Sequence, residues 1–274
     1  MLSRTALRRF VVPEISLVRV TLSAAFIYAA VAAWVWVASD RMIFLPPAPG
    51  YRATPDLLRL ATAGGERIAA LYWLNSSSTY TMLFSHGNAE DLGSVRPLLP
   101  ALGDLGFSVL AYDYRGYGLS EGRPSEANVY ADIEAAYEYL TRELRVPPAR
   151  IILYGRSLGA GAAVDLAARK VVGGLVLESP FLTAFRVMTR VPLFPFDKFR
   201  NVDKIGRVRC PVLIMHGEAD EIVPLWHSRQ LFERAPGPKT FIAIPGAQHN
   251  DFMWVAGARY AAALRDFEAL LRGR

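Results

Sequence analysis

Eight short runs of apolar, β-favouring residues recur along this chain, and most of them have no polar face. They are Leu57–Ala63, Arg67–Leu74, Tyr80–Ser85, Phe107–Tyr112, Ile151–Tyr154, Gly174–Leu177, Val212–Met215 and Thr240–Ile244. Stretches of helical periodicity separate them, near 94–104, 125–145, 158–170, 224–235 and 252–272. A strand that is apolar on both sides must be covered on both sides, and strands that alternate with helices pair in parallel through crossover connections. The sequence therefore predicts an α/β fold, a mostly parallel eight-stranded sheet with helices on both faces. Gly64–Gly65, between the first two runs, reads as the turn of an antiparallel hairpin at the sheet edge. Ser125 is expected to cap the helix that follows it, and Pro147–Pro148 to end that helix. With 274 residues, 52% of them hydrophobic, the chain has enough core to need no disulfide or metal staple.

Ligands of open α/β sheets bind outside the carboxyl ends of the strands, so the residues that follow each run carry the chemistry. The run Ile151–Tyr154 passes directly into Gly155-Arg156-Ser157-Leu158-Gly159 and then into a helix rich in small residues. Between a strand and a helix, this G-x-S-x-G pattern predicts a sharp turn that exposes the Ser157 hydroxyl. Small neighbours are needed because the returning helix passes close by. A serine hydroxyl is a poor nucleophile unless a base removes its proton and an acid orients that base. In this class of turn the chain order is Ser, then Asp or Glu, then His. His249, just past the last strand, is the expected base. His86 and His216 read as turn-forming residues, and His227 as a solvent-facing residue of a helix. Asp220, five residues past the strand Val212–Met215, is the expected acid, with Glu178, Asp203 and Asp251 as alternatives. The backbone N–H groups of Leu158 and Asn88 are the expected oxyanion donors, and Gly87 gives the loop after Ser85 room for a close approach. Neither a metal nor a cofactor is called for. One cysteine, Cys210, excludes a disulfide framework and reads as a core residue.

Val20 to Ser39 are twenty consecutive residues without a charge. A helix of that length spans about 30 Å, the hydrocarbon thickness of a bilayer. Four arginines and one glutamate lie in residues 1–19, and Trp34 and Trp36 stand near the far end of the run. The expected organisation is a basic cytoplasmic N-terminus over 1–19 and a single-pass transmembrane signal anchor over 20–39. A proline-rich linker over 40–55, packed down onto the domain, then leads to a catalytic domain over 56–274 on the non-cytoplasmic side. A cleaved secretory signal competes with the anchor, although its apolar region would span only about 7–15 residues. The net charge is +6, of which +3 falls in residues 1–19, and no basic run interleaves with aromatics, so nucleic acid is not an expected partner.

The motifs SHGNAEDLG, YDYRGYGLSEGRPSE, ILYGRSLGAGAAVDLA, CPVLIMHGEADEIVP and GAQHND, in that order, resemble α/β-hydrolases with serine nucleophiles. The similarity spans roughly residues 55–255 and points to a membrane-associated branch that includes eukaryotic protein depalmitoylases and bacterial homologues. It implies the α/β-hydrolase fold, Ser157, Asp220 and His249 as a catalytic triad, and cofactor-free hydrolysis of acyl esters or thioesters; the anchor, in holding the cleft at a membrane, points to a lipid or an acylated protein as substrate. The depalmitoylases resembled here are anchored through an N-terminal cysteine cluster, whereas this chain has no cysteine before Cys210. Between Leu177 and Val212 the sequence is aromatic and basic. Phe181, Phe185 and Met188 there are expected to line an acyl-chain groove, or else to pack over the sheet. A serine aminopeptidase-type peptidase and a non-catalytic scaffold on the same fold are the competing functions.

Overall fold

The computed structural model describes residues 16–273. The basic N-terminus expected over 1–19, with Arg4, Arg8, Arg9 and Glu14, therefore lies outside the described residues up to position 15. The chain divides between Ser39 and Asp40 into two compact units. The first carries most of a helix, Leu17–Ile43, long and apolar enough to cross a membrane. The helix runs four residues into the expected linker and stops short of Pro46–Pro47. Proline forces its predecessor, Leu45, out of the helical region.

The second unit is built on eight strands: β1 (Leu58–Ala61), β2 (Arg67–Trp73), β3 (Thr81–Ser85), β4 (Ser108–Tyr112), β5 (Ile151–Arg156), β6 (Gly174–Glu178), β7 (Val212–Gly217) and β8 (Lys239–Ile244). They form one sheet in the order β1-β2-β4-β3-β5-β6-β7-β8. The β1–β2 and β2–β4 pairs are antiparallel and the other five are parallel. Alternate residues of the central strands feed two separate cores. Leu83, Leu110, Leu153, Leu175 and Ile214 face the helices Glu126–Glu138 and Leu158–Arg169. Met82, Phe84, Val109, Ile152 and Leu213 face the helices Leu98–Asp104 and Ala258–Arg272. This is the α/β-hydrolase fold.

Three helices differ from the expected spans for local reasons. Pro97 lacks an N–H and separates Leu92–Val95 from Leu98–Asp104. Gly257, at φ 49°, separates Phe252–Ala256 from Ala258–Arg272. The helix from Glu126, capped by the Ser125 hydroxyl accepting from Asn128 N–H, widens into a π-helical turn over Tyr139–Glu143.

Candidate active site

The strand order reverses around β3, whose neighbours are β4 and β5, and Ser85 pairs in register with Gly155. The turns that leave β3 and β5 therefore start side by side, at the switch point where such sheets bind ligands. Ser157 sits at φ 51°, ψ −114°, a conformation that costs a non-glycine residue about 1–3 kcal/mol and that persists only where its surroundings impose it. The helix Leu158–Arg169 imposes it. A Cβ on Gly155 would lie 2.6 Å from Gly159 O, and one on Gly159 would lie 2.0 Å from Ser85 O. Only hydrogen atoms fit there, as the small residues of the motif imply.

The turn aims Ser157 Oγ at His249, 2.9 Å from Nε2, and His249 Nδ1 lies 2.7 Å from Asp220 Oδ2. A carboxylate only accepts, so Nδ1 carries the proton and donates to Asp220, leaving Nε2 to accept from the Ser157 hydroxyl. Asp220 follows β7 and His249 follows β8, adjacent strands in the sheet. The other Asp220 oxygen accepts from the N–H groups of Ile222 and Val223 at 3.0 and 2.7 Å. Burial pushes the Asp220 carboxyl up. Hydrogen bonds from His216 and His249, the His249 charge and the Val223 N–H more than reverse this, holding it well below the usual carboxylate range. It is therefore ionised at neutral pH and able to steady a positive imidazole.

The alternative acids are committed elsewhere. Glu178 accepts from Tyr154 OH and lies 3.3 Å from Arg156 Nε. Asp203 pairs with Arg200, and Asp251 accepts from Gln248 N–H. His86 is buried, with Nδ1 2.8 Å from Gly87 O and Nε2 3.3 Å from Asp113. His216 is buried too, but it departs from the turn-forming expectation: it belongs to β7, and its ring reaches Asp220 at 3.2 Å.

His227 departs from expectation. It is fully buried, with Nδ1 accepting from Leu182 N–H at 3.2 Å, because the helix Trp226–Arg234 lays this face against the segment that follows β6. Burial and the nearby Arg186 charge bring its pKa down to about 4 from 6.5. Between those values the unfolded chain takes up a proton that the folded one refuses, so stability is complete above pH 6.5 and declines as pH falls through the window. His227→Asn, whose amide oxygen can still accept from Leu182, is expected to flatten the fall in unfolding temperature between pH 6.5 and 4. Thermal denaturation across that range checks this, and an unchanged slope would refute it.

Of the expected oxyanion donors, Leu158 occupies the first helical position, where a backbone N–H has no intrahelical partner. Asn88 lies in the neighbouring turn, where a Cβ on Gly87 would stand 3.6 Å from Ser157 Cβ. Among the described residues no hydrogen bond engages either N–H group. Two residues to which the sequence reasoning gave no role tie the two turns together. Glu90 accepts from Gly87 N–H at 2.7 Å and pairs with Arg156 at 2.9 Å. Their opposite charges were visible, but not that a turn would fold Glu90 back onto Gly87.

The three expected substrate-lining residues occupy different environments. Phe181 is buried in the core, edge-on to Phe199 at 6.3 Å. Phe185 is half-buried against Phe194 and Phe196. Met188 is 85% exposed on the short helix Ala184–Thr189.

A strained serine between strand and helix, on a sheet of this order, defines the class, and the comparisons agree. The chain belongs to the α/β-hydrolase superfamily. Human α/β hydrolase domain-containing protein 17B is 42% identical over 194 residues, which are 69% of this chain and 67% of that protein. The Caenorhabditis elegans α/β hydrolase domain-containing protein aho-3 is 44% identical over 70% of this chain, which spans 58% of the nematode protein's length. The family profile "Serine aminopeptidase, S33" matches residues 76–196. Among solved structures, the Pyrococcus furiosus esterase Pf2001 superposes with a TM-score of 0.68 at 20% identity, covering 81% of this chain and 97% of that one. Est1E from Butyrivibrio proteoclasticus, with ferulic acid bound, superposes at 0.66 with 19% identity, covering 79% and 100%. Both share the fold.

Proposed function

We propose that the protein is a membrane-anchored serine hydrolase that cleaves acyl esters or thioesters through an acyl-enzyme. The observation that carries this reading is the hydrogen-bonded chain from Ser157 through His249 to Asp220 on a strained turn. Ser157 Oγ attacks the substrate carbonyl while His249 Nε2 accepts its proton, and Asp220 steadies the resulting imidazolium. The N–H groups of Leu158 and Asn88 hold the negative oxygen, each worth on the order of 3 kcal/mol. His249 then protonates the leaving alcohol or thiol, and water, activated by the same histidine, releases the acid.

The helix Leu17–Ile43 supports an anchor, and the excess of arginines before it supports a catalytic domain, residues 56–274, on the non-cytoplasmic side. Anchoring at a membrane favours a lipid or acylated protein as substrate, with Phe181, Phe185 and Met188 as the residues that would line its acyl chain. A peptidase reading is favoured only by the description of the matching family profile.

Fluorophosphonate labelling of the full chain in detergent, with Ser157→Ala alongside, tests the reading. Labelling of the wild type alone is expected, with hydrolysis of acyl esters and thioesters well above that of aminoacyl amides. Faster cleavage of the amides would establish the peptidase.

A further inference from the structure

We infer that the segment from Ile43 to Tyr51 is a positioning element of the oxyanion turn, acting through the side chain of Asn88. The inference rests on the proposed reading that Ser157 forms an acyl-enzyme. Asn88 Nδ2 donates to Ile43 O at 2.6 Å, and Asn88 Oδ1 accepts from Leu45 N–H at 3.0 Å and from Tyr117 OH at 2.6 Å. One amide orientation alone satisfies a carbonyl on one side and two donors on the other. The two backbone groups that Asn88 reads flank Phe44, whose buried ring packs edge-on against Phe199 at 5.9 Å. The segment is thus fastened to the core at the residue between its two contacts with Asn88.

It reaches the same turn once more directly, and once through Asp113, which follows β4. Gly50 N–H donates to Asp91 Oδ2 at 2.6 Å. Tyr51 OH donates to Asp113, whose carboxylate also accepts from Leu92 N–H at 2.8 Å and lies 3.3 Å from His86. On the inner side the Glu90–Arg156 pair holds Gly87. The turn from His86 to Leu92 is therefore clamped between the serine turn and the segment that follows the apolar helix.

An oxyanion donor accelerates a reaction only if it already points at the developing charge, because turning it during the reaction would cost what it returns. A side chain held by three hydrogen bonds fixes the backbone of its own residue, and hence the direction of its N–H. Loss of the clamp lets that N–H drift, and a misplacement of about 1 Å can cost up to about 100-fold in rate.

The test uses the full chain in detergent, with Asn88→Ala, Tyr117→Phe and Ser157→Ala. Two quantities are measured per active site titrated by fluorophosphonate: turnover of a p-nitrophenyl ester, and the inhibition constant of an alkyl trifluoromethyl ketone. Ser157 Oγ adds to the ketone carbon, its proton passes to His249, and the carbonyl π bond opens to an oxyanion, so this constant reports the oxyanion donors directly. For Asn88→Ala, kcat is expected to fall about tenfold or more and the inhibition constant to rise by the same factor, with KM within about twofold. Tyr117→Phe, which keeps the Asn88 amide and the packing of the ring, is expected to move both in the same direction by less. A merely structural clamp would lower the titre of active sites while leaving both constants at wild-type values, and that result in Asn88→Ala would overturn the inference. Hydrolysis that survives in Ser157→Ala would overturn the proposed function, and this inference with it, a pattern distinct from the first.

Discussion

Replacing Ser157 or His249 by alanine is expected to lower ester hydrolysis by about 10⁴- to 10⁶-fold, and replacing both by no more than either alone. Without Oγ there is no atom to acylate. Without the imidazole, Oγ keeps its proton at neutral pH and the leaving group departs unprotonated. Because the 2.9 Å Ser157–His249 contact joins two parts of one proton transfer, removing the second part after the first takes nothing further away. The rate that remains would come from the oxyanion donors and substrate binding. Neither side chain carries the core, so unfolding temperatures should stay close to wild type. Single-turnover kinetics on purified variants check this. Additive losses in the double variant, or wild-type turnover in His249→Ala, would sink the assignment.

Gly159→Ala is expected to destabilise the protein by about 3 kcal/mol or more and to abolish labelling of Ser157. The added Cβ would stand 2.0 Å from Ser85 O, 2.6 Å from Ser85 C and 2.9 Å from His86 O. Those atoms belong to the end of β3, which is paired on both sides, Ser85 with Tyr112 and with Gly155, so they have nowhere to go. The helix must move instead, and it carries Leu158 N–H with it. Gly206→Ala serves as the control, since the nearest atom to its Cβ would be Arg234 O at 3.8 Å, and its stability should change by less than about 1 kcal/mol. Differential scanning calorimetry gives both values. Wild-type stability and labelling in Gly159→Ala would show that the start of the helix has slack.

The sheet, its antiparallel edge and the contact between Ser157, His249 and Asp220 were legible because each depends on a local pattern. Runs apolar on both faces call for cover, and a serine between two glycines at the end of a strand calls for a sharp turn. What escaped were groups whose meaning depends on a distant partner. Asn88 could be placed beside His86-Gly87 from its motif, but nothing in SHGN says that its amide will bind the backbone at Ile43 and Leu45. Glu90 and Arg156 lie 66 positions apart and read as two surface charges until β3 and β5 bring their turns together. His227 was misjudged because the short helix that carries it has polar residues on most sides, and packing alone decides which of them is covered. His216 was taken for a turn residue, but it lies within β7, paired with Ala243, and its ring reaches the carboxylate of Asp220.

The strand order has a consequence for the newly made chain. Asn88 and Ser157 follow β3 and β5, but Asp220 and His249 follow β7 and β8, and among the described residues β8 pairs with β7 alone, at the edge of the sheet. Ser157 and His249 are separated by 92 positions, so their contact requires the closure of a long loop. On the proposed mechanism, an incomplete chain would carry a serine with no base and would be chemically silent. Hydrolytic activity would therefore report that the last strand has docked, and a chain cut or stalled anywhere before it would be inert however well its first seven strands had folded.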